Sequence, residues 1–429
     1  MFVRRKVNKS GTVSVMVVDK RLGRYRIMRT FGAARTQDEV AMLEEKARLF
    51  IREAKGVSLS IFGDEREEFL EQYLAGITNP QVILAGPELV YGRLYDNMGF
   101  KNALRRSSNP VNNIFRHLVM CKLFNPGSKL RVIDYLWRSL GVERSGDKIY
   151  RYVDKFCQTG ASYEGSARDQ VESATRAHFG KPAASGPHDI YVTDMTSAHL
   201  DASEDADLRL SNAANPKRRT RVLVALLTTA DGYPVGYNTF DGDGRADKAI
   251  TNLLKRNDVS RVTVVARADA LSEADIAWID SQGHDLAVAP KTAGGQSKAC
   301  ELVCGTPMSD DEAARKLSLL LEIEREFGAS RTDLLTRPVH SRIRSRVEGH
   351  ACVCFTAYAV LTELRIALKA AGLAMTADRV RQLTSTMFRL NYTLPNTLAS
   401  RAVGLEMTPD QKSLYDAVSA HIYKGPNTL

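Results

Sequence analysis

The chain has 429 residues, 44% of them hydrophobic and 26% charged, which is enough for two or three domains and too apolar for disorder to dominate. Its formal charge of +10 points to a polyanion partner rather than an acidic small molecule. Six cysteines make no disulfide framework, no apolar run approaches the ~18 residues of a membrane span, and the start Met1-Phe2-Val3-Arg4-Arg5-Lys6 has no signal-peptide core. A soluble intracellular protein without a membrane partner is expected.

Residues 1–30 hold nine Lys/Arg against the single acid Asp19, in short alternating runs such as Val13-Ser14-Val15-Met16-Val17. A helix is expected over about 38–54, where Val40, Leu43, Ala47, Phe50 and Ile51 recur at helical spacing. Residues 1–60 therefore read as a small basic β-hairpin and helix element, and 61–180 as a helical region. Within it Ile114, Leu118, Val119 and Leu123 share one helix face, and Leu130, Ile133, Leu136 and Leu140 the next. Asn125-Pro126-Gly127 stops the first of these helices and Gly141 ends the second.

Beyond a turn-rich break near 180 the pattern changes to five short β runs, at 190–193, 222–228, 234–240, 262–266 and 286–289. Asp231-Gly232 marks a tight turn between two of them, and Ser272 is the N-cap of a helix over about 272–281. Helical patterns follow over about 311–329, 346–371 and 377–389. The reading is a mixed α/β sheet with helices packed on it over 186–390, then a helical tail over 391–429. Two more basic clusters stand out, Lys217-Arg218-Arg219-Thr220-Arg221 and the arginines 331, 337, 342, 344 and 346.

The run Asp189-Ile190-Tyr191-Val192-Thr193 ends on Asp194, so a buried strand delivers a carboxylate to the rim of a sheet. Carboxylates placed in this way hold divalent cations, because hard ions prefer oxygen ligands. A second strand end runs into Arg267-Ala268-Asp269, and Glu324 lies in a helical stretch.

Phe124-Asn125-Pro126-Gly127-Ser128, Thr193-Asp194-Met195-Thr196, Asp231-Gly232-Tyr233-Pro234, Val264-Val265-Ala266, Ile323-Glu324 and Arg337-Pro338-Val339-His340, in that order, resemble an insertion-sequence transposase of the DDE class. The resemblance implies an RNase H-like mixed five-stranded sheet with flanking helices, behind a small basic β element and a helical DNA-binding region. It implies two Mg2+ (or Mn2+) ions held by Asp194, a second acid and Glu324, for metal-dependent strand cleavage and strand transfer. It also implies double-stranded DNA partners (inverted-repeat ends and target), a homo-oligomer on DNA, and a bacterial cytoplasmic, nucleoid-associated location. Lys217, Arg218, Arg219, Arg221, Arg331 and Arg337 are the expected phosphate contacts.

The chain departs from the family at the second carboxylate, where Arg267 stands. A guanidinium 4 Å from a divalent ion costs about 8 kcal/mol at an effective dielectric of about 20. Asp269, two residues on and displaced by about 6.5 Å if the strand continues, is either the replacement ligand or a surface acid. The family's Tyr, Arg and Lys around the glutamate read Leu317, Leu320 and Arg331 here. The readings are a DNA transposase, a catalytically inactive transposase-derived DNA-binding protein and, more weakly supported, a structure-selective nuclease of the same fold without strand joining.

Overall fold

The structure is a computed structural model that describes residues 2–8, 10–19, 25–56, 73–74, 76–102, 113–126, 131–143, 145–146, 148–149, 151–152, 166–179, 186–195, 222–241, 246–289, 299–327, 340–393 and 400–424. The chain divides into two compact units, Met1–Asn79 and Pro80–Leu429.

In the first unit β1 (Phe2–Val7), β2 (Val13–Asp19) and β3 (Arg26–Ala34) form an antiparallel meander. One face of it sets Val13, Val15 and Val17 against Val40, Ala47 and Phe50 of α1 (Gln37–Gly56). The helix begins at a capping box. Thr36 Oγ1 accepts from the Glu39 N–H at 3.3 Å, and the Thr36 N–H donates back to the Glu39 carboxylate at 3.4 Å.

The second unit opens with β4 (Val82–Leu84) and a π turn, Glu88–Gly92, that runs into α2 (Arg93–Asn97). Three helices follow, α3 (Ile114–Phe124), α4 (Arg131–Leu140) and α5 (Ala167–Phe179). The sheet region is β5 (His188–Asp194), β6 (Val222–Thr229), β7 (Pro234–Asp241), α6 (Ala246–Asn257), β8 (Val262–Arg267), α7 (Glu273–Ser281), β9 (Asp285–Ala289) and β10 (Glu301–Cys304). It is completed by α8 (Asp310–Phe327), α9 (His340–Ala370), α10 (Ala377–Thr384), β11 (Phe388–Thr393), β12 (Ser400–Gly404) and α11 (Pro409–Lys424).

Six strands pair in the order β10-β9-β8-β5-β6-β7, with β5, β8 and β9 parallel and the other pairs antiparallel. The five expected strands are all present, and β10 is an unexpected sixth. Glu301, Leu302 and Val303 at that edge are exposed, so they carry no alternation to read. Helices α6 and α7 cover one face, packing on Ile190, Val192, Val264 and Ala266. Helices α8 and α9 cover the other, packing on Tyr191, Leu226 and Val265. Strands buried on both faces lose the apolar/polar alternation, which is why β6 reads as an unbroken apolar run. Each fully buried Val or Leu in it contributes about 1.5–3 kcal/mol before entropy is counted.

The β6–β7 turn needs its glycine. Gly232 has φ 85°, and a Cβ there would stand 3.2 Å from Leu319 of α8. Phe115, Leu118, Leu136 and Val171 of the helical region share one core with Tyr191 and Leu226 of the sheet. The expected boundary near 180–186 therefore does not separate compact units, and the division falls at 79/80. Within α9, the 24 residues Val347–Ala370 contain an 18-residue window of mean hydropathy 1.6, long and apolar enough to cross a membrane. That corrects the expectation that no apolar run approaches such a length. That window is 89% buried inside the protein, where it serves as core.

Near the C-terminus the expected helix over 377–389 stops at Thr384, and Phe388–Thr393 is a strand between β4 and β12. Val380, Leu383 and Met387 extend the helical spacing past the helix end, which hides the change. The stretch expected as a helical tail likewise contains strand β12 before α11.

Candidate functional site

Asp194 is the last residue of β5 and is partly buried, paired in register with Leu223 of β6. On its other side β5 runs parallel to β8, with Val192 beside Ala266, so Arg267 ends β8 next to Thr193. Side chains alternate along a strand. Arg267 therefore follows Val265 towards α8, whereas Asp194 follows Ile190 and Val192 towards the face that α6 and α7 cover.

Helix α8 places Glu324 on the same side as Arg267 because Leu320, Ile323 and Phe327 anchor it, all fully buried. The Arg267 Nε and Nη2 donate to the two Glu324 carboxylate oxygens, each at 2.6 Å. A guanidinium fork matched to both oxygens is the strong form of a charge-assisted hydrogen bond. Both side chains are about one-fifth exposed, at 22% and 23%. The bond to Glu324 raises the Arg267 pKa above its usual value despite partial burial, and Asp269 adds attraction.

Asp269 does not continue the strand. The chain turns at once, with the Ala270 N–H donating to the Arg267 carbonyl at 2.9 Å, and Asp269 is exposed in that turn. The register shift that would make it a replacement ligand is absent, and it stands as a surface acid beside Arg267. Among the described residues no three His, Cys, Asp or Glu side chains gather to hold a metal ion, so Asp194, Asp269 and Glu324 form no such cluster. The residues present do not fit a pair of Mg2+ or Mn2+ ions, because the cation Arg267 engages both oxygens of Glu324 and Asp194 faces the other side of the sheet.

A second ion pair on the same helix was not foreseen. Lys316 Nζ donates to both Asp189 oxygens, at 2.7 and 2.8 Å, and both side chains are 3% exposed. Burial pushes the Asp189 carboxyl up, and Lys316 and the Tyr191 hydroxyl pull it back down. An acid inside an apolar run was the available signal, but its partner lies far along the chain. Leu320 is core, and Leu317 packs against it. The expected phosphate contacts Lys217, Arg218, Arg219, Arg221, Arg331 and Arg337 lie outside the described residues.

Comparison with protein-family models, with curated proteins and with solved structures found no match for this chain.

Proposed function

We propose that this protein is a transposase-derived DNA-binding protein in which an internal ion pair has replaced the metal centre. The observation that carries the reading is the two-bond grip of Arg267 on Glu324 at the strand-end position where a second carboxylate is expected. The strand order lends support. β7-β6-β5-β8-β9, with the first three antiparallel and β5, β8 and β9 parallel, is the arrangement expected of an RNase H-like domain. The basic charge of +10 supports a nucleic-acid partner.

Strand cleavage through two metal ions needs three carboxylates free to neutralise the ions. Here Glu324 is neutralised by Arg267 instead, so the chain's own residues provide binding without that chemistry. The test is nicking of duplex DNA with Mg2+ or Mn2+ by the intact chain, beside Arg267→Asp. The wild type is expected to bind DNA equally well with a chelator present and to leave it intact. Arg267→Asp is expected to gain Mn2+ binding measured by calorimetry. Metal-dependent cleavage by the wild type that disappears in both Asp194→Ala and Glu324→Ala would overturn the reading and restore the transposase.

A further inference from the structure

Positive charge in the first unit is concentrated on its strands. The strands β1–β3 carry Arg4, Arg5, Lys6, Arg26 and Arg29 against the single acid Asp19. On helix α1, Glu39, Glu44 and Glu45 stand beside Lys46 and Arg48, so its charges nearly balance. The strands thus hold the unit's excess of positive charge, and a polyanion is drawn to the sheet.

The sheet face turned away from α1 is built unlike a solvated surface. Phe2, Arg4 and Lys6 stand on it, paired in register with Val18, Met16 and Ser14. Phe2, Tyr25 and Ile27 are 42%, 57% and 58% exposed, although α1 covers the opposite face. The Arg4 guanidinium lies 5.4 Å over the Tyr25 ring, and Phe2 meets the same ring edge-on at 6.3 Å. Among the described residues Arg4 is held by a ring rather than by a carboxylate, and its N–H groups face an incoming anion. Arg5, one residue along, is turned to the helix side and held by Glu44.

The dimensions suit a duplex. Two adjacent strands such as β1 and β2 form a ribbon of the kind a major groove about 12 Å wide admits. Register shifts at Val15/Met16 and at Val17/Val18 increase the local twist of β2 and β3.

We infer that the outer face of the β1–β3 sheet, centred on Arg4, Lys6 and Tyr25, is the surface that docks duplex DNA. This deepens the proposed DNA-binding function and rests on it. Arg4 and Lys6 contact phosphates, while Tyr25 and Ile27 pack on sugar and base edges.

The test uses the full-length chain and a fluorescein-labelled, mixed-sequence DNA duplex, with affinity read by anisotropy across a salt series in a chelator. Arg4→Ala/Lys6→Ala is expected to weaken binding about tenfold and to flatten the log K against log salt slope by about 2, since each lost phosphate contact removes about 0.9. Tyr25→Ala is expected to weaken binding several-fold with the slope unchanged. Lys46→Ala/Arg48→Ala removes the same two charges from α1 and is the control for net charge, expected to leave the slope as it is. Circular dichroism and thermal melting establish that each variant is folded. Wild-type binding that none of the sheet variants changes would overturn the inference and leave the DNA-binding function standing. A wild type that binds no duplex would overturn both. Loss of binding to phosphatidylserine-containing vesicles by the sheet variants, with duplex binding intact, would assign the face to a membrane surface and also overturn it.

Discussion

Lys316 and Glu324 lie about two turns apart on one face of α8, carry opposite charges, and are each answered by an opposite charge on the sheet. Lys316 meets Asp189 on β5, and Glu324 meets Arg267 on β8. The helix is thus clipped to two neighbouring parallel strands, once in a dry interior and once at a partly wet rim. A carboxylate at 267 would repel Glu324 unless a cation bridged the two. The arginine makes the rim contact independent of any ion.

The rim clip predicts a measurable coupling. Arg267→Ala and Glu324→Ala should each lower stability by about 1–3 kcal/mol, the range for a charge-assisted hydrogen-bonded pair that is still partly solvated. The double variant should cost clearly less than the sum, because the second change removes a group already without its partner. Urea unfolding of the four proteins measures this. Strict additivity would mean that the two side chains do not act on one another in solution.

The interior clip should behave differently. Lys316→Met leaves Asp189 buried at 3% exposure without its cation, and the expected cost is about 3–5 kcal/mol. Adding Asp189→Leu should recover most of that loss, since replacing both partners with apolar groups removes the desolvation penalty as well as the attraction. A double variant as unstable as Lys316→Met alone would refute this account of the pair.

What could be read in the chain follows from how each signal arises. Runs such as 222–228 and 262–266 are apolar because both sheet faces are covered, and Ser272 caps α7 through its own hydroxyl, so these elements depend on near neighbours. Edge strands β10 and β12 have no buried face and left no period to detect. Helix α6 is a further element beyond those expected, with Ala249, Ile250, Leu253 and Leu254 on its buried face. At the site, the identity of residue 267 was plain, but its partner was not. Hydrogen bonding between Arg267 and Glu324 joins residues 57 apart in sequence, and no local spacing encodes which acid a basic strand end will meet.

Backbone proximity between β4 and α10 gives a prediction independent of charge. A Cβ at Gly86 would lie 2.0 Å from the Thr384 carbonyl oxygen, which is backbone and cannot rotate away. The Gly86 N–H also donates to the Met387 carbonyl at 3.0 Å, fixing the segment against β11. Gly86→Ala should therefore destabilise by about 1–3 kcal/mol or more through forced separation of the two segments. Urea unfolding checks it, and a variant of wild-type stability would show that this close approach is not kept in solution.

Acid sensitivity should be concentrated at Glu363. This carboxylate on α9 is 3% exposed and accepts from His178 Nε2 of α5 at 2.8 Å and from His421 Nε2 of α11 at 2.7 Å, both on one oxygen. Burial alone would push its pKa up, but the two imidazole hydrogen bonds and their charge hold it down at about 2, below the ordinary 4.5. A depressed carboxyl stabilises the folded state above its unfolded pKa, and that stabilisation is lost as pH falls through the folded value. The window therefore runs from about pH 4.5 down to about 2. The full effect is at most about 3.5 kcal/mol, because each pKa unit is worth about 1.4. Glu363→Gln keeps an acceptor for the imidazoles and removes the titration, so its stability should fall less steeply across that window when unfolding is followed by fluorescence at several pH values. Because Glu363 joins three helices distant in sequence, the wild type should lose the α11 contact first on acidification, seen as earlier amide exchange in 409–424 than in α9. Parallel acid profiles for the two proteins would remove Glu363 as the source of the sensitivity.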